Sequence, residues 1–209
     1  MTYALQNGEP TADHGLARIV ATTLVLWAGA VAWAASSDIF VSFPLPLFAA
    51  LVSVLLIAAT SAYLFVPRLS AGVEQFGLRK LTALHIWRIP AALAFYYYGA
   101  QGFLPPVFVV LAGTGDLIAG LLALYVVTAK PDSKRAYIVF HIVGMTDFVI
   151  AVGTGLTFSL LADPRMVTIA LFPLALIPLF GVTISGATHV AAFDLLRRNL
   201  GLPQSAERV

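Results

Sequence analysis

Three charged residues lie inside stretches of this chain that are otherwise apolar enough to cross a lipid bilayer. Arg88, Asp116 and Asp147 each lie within a different apolar run. Charged groups at membrane depth are costly, and those found there usually mark binding sites or proton pathways. Arg88 keeps its proton, and one carboxylate can pair with it. The other carboxylate must then hold a proton, meet a charged histidine or bind a cation, because an unpaired buried charge is prohibitive.

Three histidines lie at matching depths in three apolar runs. Counting about 1.5 Å per residue from the nearest basic residue outside each run places His85, His141 and His189 roughly 8–12 Å inside the membrane, in one layer. Such a layer can relay protons. It can also ligate a divalent metal such as zinc, or hold haem b between two of the three rings. We therefore predict a proton- or ligand-binding site formed by Arg88, both aspartates and the three histidines, which are also the candidate metal ligands.

Each of these residues also has a purely structural interpretation. Arg88 and Asp116 can form a buried pair that only fixes helix register, and Asp147 can be a protonated acid bonded to the backbone or to Thr146. A lone histidine in a membrane span is more often a hydrogen-bonded packing residue than a ligand. These alternatives stay open at the level of the sequence.

The composition is that of an integral membrane protein. Hydrophobic residues make up 60% of the chain and charged residues 11%, whereas soluble domains carry about 25% charged residues. The formal charge of +2 is too small and too scattered to indicate a nucleic-acid partner. The absence of cysteine excludes disulfides, thiolate metal sites and cysteine nucleophiles. No motif identifies a reaction, so binding or transport is favoured over catalysis.

The apolar runs predict an all-α, polytopic membrane helix bundle, since about 20 apolar residues are needed to cross the hydrocarbon core. Pro173 and Pro178 interrupt the last run, which we expect to be broken or kinked there. A single transmembrane domain is predicted over 16–197, with six spans at about 16–36, 45–66, 80–100, 106–128, 136–158 and 167–196.

The distribution of lysine and arginine predicts the orientation. The loops 67–80 and 129–135 and the tail 198–209 are basic, whereas the opposite loops contain only Arg165. With six spans, every basic loop falls on one side. The polar N-terminus 1–15 and the tail are therefore predicted to be cytoplasmic, in a bacterial inner membrane.

A set of motifs between about residues 80 and 196 carries a family resemblance. The motifs are Trp87-Arg88, Gly102-Phe103-Leu104-Pro105, Ala112-Gly113-Thr114-Gly115-Asp116, Gly120, His141, Gly144, Asp147 and Leu176-Ile177-Pro178 with His189. Together they resemble those of a family of small multi-pass bacterial membrane proteins with no assigned activity. The resemblance implies fold and location, not chemistry. This chain differs from the expected pattern in having Pro90 in place of a glycine and His85 in place of a glutamine.

Three functional hypotheses follow from these residues. The first is a proton-responsive protein that binds or transports a small ligand, with Arg88 holding an anionic group or pairing with an acid. The second is a haem- or metal-binding membrane redox protein. The third is a non-catalytic assembly or partner subunit in which the charges only lock helix packing. The lipid bilayer is the one partner that all three share, and the sequence does not indicate an oligomeric state.

Overall fold

The computed structural model describes residues 14–201, so most of the predicted N-terminal segment 1–15 and of the tail 198–209 lies outside the described residues. Within that range the chain is helical and contains no strand. Three short connecting segments are 3-10 helices, at Phe40–Ser42, Leu84–Trp87 and Pro164–Ala170. The seven helices are α1 (His14–Ser36), α2 (Leu45–Phe65), α3 (Pro67–Ala83), α4 (Arg88–Ala100), α5 (Pro106–Ala129), α6 (Lys134–Leu160) and α7 (Ile177–Arg197).

Five of these helices, α1, α2, α5, α6 and α7, are long and apolar enough to cross a membrane. By length and composition these five helices are those expected of a membrane protein, whereas the sixth predicted span is not confirmed. The predicted run 80–100 is divided between the end of α3, a 3-10 turn at Leu84–Trp87 and α4. Pro90 explains the division, because proline has no N–H for the carbonyl four residues earlier and a tighter turn is formed before it.

α3 contains a second interruption, at Gly77. This glycine has a φ of +80°, which side-chain-bearing residues rarely adopt. The amide N–H of the next residue, Leu78, leaves the helical ladder and donates to the carbonyl of Gly201 at 3.2 Å. The chain therefore changes direction at Gly77 and is tied there to the segment that follows α7.

The last apolar run is broken, as predicted. Its first part is the 3-10 helix Pro164–Ala170, and α7 begins only at Ile177. The first six residues of α7, Ile177–Val182, are wound as a π-helix. A second π-helical segment, Val109–Gly113, lies near the start of α5.

The buried side chains form two apolar clusters, one at each end of the bundle, with polar residues between them. Along α7, for example, Leu179 belongs to one cluster and Leu195 to the other. Along α5 the same order holds for Ala112 and Val126. The polar residues between the clusters, which we call the polar layer, are Thr82, His85, Arg88, Asp116, His141, Asp147, Thr183, Ser185 and His189.

Candidate functional site

Arg88 links three helices through its guanidinium group. It is the first residue of α4, directly after the 3-10 turn, and its side chain is 3% exposed. Nε donates to Oδ1 of Asp116 on α5 at 2.6 Å, and Nη2 donates to Oδ2 of Asp147 on α6. Nη1 donates to the carbonyl oxygen of Gly144 at 3.2 Å. Each guanidinium nitrogen thus has its own acceptor, which is a geometry that arginine supports and lysine does not.

The arrangement around Arg88 differs from the simple pair that the sequence suggests. Both carboxylates contact the same guanidinium, whereas the sequence analysis assigned it one partner. Thr146 is not the partner of Asp147, because its hydroxyl donates to the carbonyl of Ile142 at 2.9 Å. One positive and two potential negative charges therefore share one buried site.

Two glycines leave the space in which these side chains meet. A Cβ atom on Gly115 would lie 1.5 Å from Oδ1 of Asp147. A Cβ atom on Gly144 would lie 2.7 Å from Cε1 of His189 and 3.7 Å from Nη1 of Arg88. The close approach of α5, α6 and α7 at the polar layer therefore depends on residues without a side chain, as is common where membrane helices touch.

The three histidines form a cluster, the histidine trio, beside the Arg88 site. His85, His141 and His189 are all at most 1% exposed. The ring centroid of His189 lies 4.1 Å from that of His85 and 5.1 Å from that of His141. Nδ1 of His141 and Nδ1 of His189 are 2.9 Å apart, so one of them donates to the other. All six residues that the sequence predicted for the site are thus buried in the polar layer, in two adjacent groups.

Two threonines that the sequence analysis did not identify hold the rings of the trio. Oγ1 of Thr82 lies 3.1 Å from Nε2 of His141, and Oγ1 of Thr188 lies 3.1 Å from Nε2 of His85. Thr188 is next to His189 in the chain, and Thr82 is three residues before His85. Their proximity to the histidines in the sequence is the one signal from which they could have been identified.

The trio suits a single ion better than haem. One ring nitrogen from each histidine lies within 4.8 Å of the others. A porphyrin ligated by two histidines must pass between their rings, but these rings are in contact. The predicted haem b would therefore require the helices to separate, whereas an ion requires only small side-chain movements.

A cavity of about 110 Å³ adjoins the Arg88 site on the side away from the trio. Its lining is mostly apolar, with Arg88 and Asp116 among the lining residues. Nε1 of Trp87, which also lines the cavity, donates to Oγ of Ser185 at 3.1 Å. Further lining residues from facing helices, Ser53 of α2 and Leu156 of α6, are exposed. Exposed residues of α2 and α6 therefore contribute to the lining of the cavity.

Comparison with known proteins identifies a family without an assigned activity. A family model described as "Domain of unknown function (DUF8737)" matches residues 42–197. The match includes α2, so it extends beyond the resemblance predicted for residues 80 to 196, while α1 lies outside it. No curated protein and no solved structure matches the chain.

Proposed function

We propose that this chain, which belongs to the DUF8737 family, is a proton-responsive membrane protein that binds or transports a small anionic ligand. The observation that carries the proposal is the sharing of one guanidinium, that of Arg88, between Asp116 and Asp147. The proposal includes six spans in a bacterial inner membrane, with both termini cytoplasmic.

The helical run from Leu78 to Ala100 supplies the sixth span in this proposal. Despite the turn at Leu84–Trp87, this run is long enough to cross roughly 30 Å of hydrocarbon. The basic loops meet at one end of the bundle, where Nη1 of Arg198 lies 3.4 Å from Oε2 of Glu74 and Nζ of Lys134 donates to Asn199. Such clustering of basic residues on one side is typical of the cytoplasmic face.

The charges at Arg88 support a bound proton. With both carboxylates ionised, the group of three would carry a net charge of −1 inside the membrane. One proton, shared by Asp116 and Asp147, makes the group neutral. Loss of that proton is costly because it leaves an uncompensated buried charge, so the site is suited to exchange a proton when its other contacts change.

The adjacent cavity provides a place for the ligand. An anionic group that enters it can replace one carboxylate at Arg88, and the released carboxylate then takes up a proton. The charges balance, since one anion and one proton arrive together. The apolar lining and the volume of about 110 Å³ fit a short monocarboxylate with a hydrocarbon tail.

Infrared spectroscopy tests the shared proton. The purified protein in lipid nanodiscs is expected to show the carbonyl stretch of a protonated carboxylic acid at neutral pH. Asp116→Asn and Asp147→Asn should each remove this band, because the remaining carboxylate is then ionised against Arg88. Asp163→Asn is the control: Asp163 lies outside the spans, and hydrogen bonding to Arg165 lowers the pKa of Asp163, so its removal leaves the band unchanged.

Calorimetric titration with butyrate tests the ligand. The affinity should rise by about tenfold for each unit by which the pH falls, because one proton is taken up with each anion. Butyramide, which carries no charge, should show no such dependence.

The proposal is overturned if the infrared band is absent, or if both asparagine variants unfold as extensively as Arg88→Ala. In the latter case the buried charges serve packing alone, as in an assembly subunit.

A further inference from the structure

We infer that the histidine trio, His85, His141 and His189, is a binding site for a single transition-metal ion of the class that imidazole ligates, with Zn²⁺ as its representative. This site is distinct from the cavity proposed for the anionic ligand, and the inference stands on different residues from the proton exchange at Arg88.

The hydrogen bonds of Thr188 favour one tautomer of His85. The Thr188 hydroxyl lies 2.8 Å from the carbonyl oxygen of Ile184 and 3.0 Å from that of Ser185, and both of these oxygens can only accept. When the hydroxyl donates to either of them, its oxygen is free to accept from Nε2–H of His85. In that tautomer Nδ1 of His85 is an unprotonated nitrogen with a free lone pair, which is the form that binds metals.

Two nitrogens of the trio have no hydrogen-bond partner within residues 14–201. They are Nδ1 of His85 and Nε2 of His189, and both are fully buried. A buried polar atom without a partner is destabilising, and native proteins rarely retain one without a reason. A metal ion would satisfy the lone pair of His85 that the protein itself leaves unpaired.

The distances between the rings are close to those of a metal site. Two nitrogens bound to one tetrahedral Zn²⁺ at 2.0–2.1 Å are about 3.4 Å apart. Nδ1 of His141 and Nδ1 of His189 are already 2.9 Å apart, and one nitrogen of each of the three rings lies within 4.8 Å of the others. Small rotations of the side chains therefore bring three nitrogens to one ion.

The ligand atoms of the trio select the class of ion. Three neutral imidazoles suit zinc, copper, nickel or iron. Mg²⁺ and Ca²⁺ prefer oxygen ligands, and the trio supplies none.

Thr82 and Thr188 act as positioning residues in this site. A histidine that binds a metal usually donates its other N–H to a protein acceptor, which fixes the orientation of the ring. Thr188 does this for His85, and Thr82 lies at the same distance from Nε2 of His141. Loss of such a partner typically lowers metal affinity by about 10- to 100-fold.

The experiment uses the full chain in nanodiscs, purified with an affinity tag that contains no histidine. Titration with Co²⁺ is expected to produce the visible absorption of a tetrahedral site and to saturate at one ion per chain, and Zn²⁺ should abolish this absorption by displacement. His85→Gln and His141→Gln should lose it. His14→Gln, which removes the remaining histidine of the chain, should retain it.

A second pair of variants separates a loss of metal affinity from a loss of folding. Thr188→Val should weaken Co²⁺ binding by about 10- to 100-fold. Thr154→Val, which removes a hydroxyl bonded only to the carbonyl of its own helix at Ile150, should leave the affinity unchanged. The inference is overturned if the folded wild-type protein takes up no Co²⁺ or Zn²⁺, if Mg²⁺ competes equally with Zn²⁺, or if His85→Gln and His141→Gln bind as tightly as the wild type.

The asparagine variants of the Arg88 site separate the two proposals. If Asp147→Asn retains one Co²⁺ per chain while the infrared band is lost, the ion site and the proton site are independent, as inferred. Failure of the infrared test therefore leaves the metal test interpretable.

Discussion

At the scale of single residues, the site depends on the lack of a side chain at Gly115 as much as on its charged side chains. Arg88 needs two carboxylates from different helices within reach, and Asp147 reaches it across the backbone of Gly115. A side chain at position 115 would occupy the place of the Asp147 carboxylate. The glycine and the charged residues therefore form one functional unit.

Substitution of Gly115 tests this dependence. Gly115→Ala is expected to lower the free energy of unfolding by several kcal/mol, as breaking a buried ion pair typically costs about 3–5 kcal/mol. Gly153→Ala is the matched control, because a Cβ atom on Gly153 of α6 would have no neighbouring atom within 4 Å. Alanine there should be neutral or stabilising by up to about 1 kcal/mol. Equal effects of the two variants on the unfolding temperature would contradict the close approach of Asp147 to Gly115.

The sequence alone predicted the six ionisable residues because charge inside an apolar run is rare and therefore informative. It did not predict that Arg88 pairs with both aspartates, since the distance between Asp116 and Asp147 depends on helix packing. Thr82 and Thr188 were missed for another reason. Threonine is common in apolar helices and often bonds to its own helix, as Thr154 and Thr157 do. The presence of a threonine therefore does not indicate that it contacts a residue of another helix.

At the scale of helices, irregular winding occurs next to the polar layer. The 3-10 turn at Leu84–Trp87 directly precedes Arg88, and the π-helix at Val109–Gly113 ends three residues before Asp116. The π-helix at Ile177–Val182 leads into Thr183 of the same layer. Such segments change the direction of the side chains that follow them, and they often occur at functional sites.

The attachment of α2 to α7 provides a prediction at this scale. The hydroxyl of Tyr63 donates to Oδ2 of Asp194 at 2.8 Å, and the tyrosine ring is buried. Tyr63→Phe should lower the free energy of unfolding by about 1 kcal/mol, the net value of one such hydrogen bond. Tyr97→Phe, at an exposed ring of α4, should have no effect. The infrared band of the Arg88 site should persist in both variants, and its loss in Tyr63→Phe would show that the contact between Tyr63 and Asp194 is coupled to the polar layer.

Helix positions were predictable because long apolar runs have few alternatives. The boundaries of α2, α5 and α6 agree with the predicted spans within a few residues. The run 80–100 was predicted as one helix, but it is interrupted by a 3-10 turn before Pro90. The type of helix that forms before a proline depends on the tertiary contacts of that segment, which the sequence does not show. The direction change at Gly77 likewise involves Gly201, which is distant in sequence.

At the scale of the whole molecule, the number of spans determines which loops share a side. The chain has no cysteine, so an introduced cysteine can be labelled without background labelling of other thiols in the protein. We expect Asp132→Cys, between α5 and α6, to react with a membrane-impermeant maleimide only after the cells are opened. Ser42→Cys, between α1 and α2, should react in intact cells whose outer membrane has been made permeable. Both positions are exposed.

Labelling of both cysteines from the same side would contradict the proposed six-span topology. Reaction of Asp132→Cys in intact cells and of Ser42→Cys only after lysis would instead reverse the orientation. Ser42→Cys and Asp132→Cys proteins denatured in detergent serve as controls for the reactivity of each thiol.

In the proposed function, the exposed residues of α2 and α6 that line the cavity have a consequence for selectivity. A solute that entered between these two helices would reach Trp87 from the hydrocarbon core of the bilayer, and its concentration at that entrance would be its aqueous concentration multiplied by its oil–water partition coefficient. Among acids of equal fit, those with longer chains would be enriched before any contact with the protein. The neutral, protonated acid partitions best, and on this route it would deliver the anion and its proton in a single step.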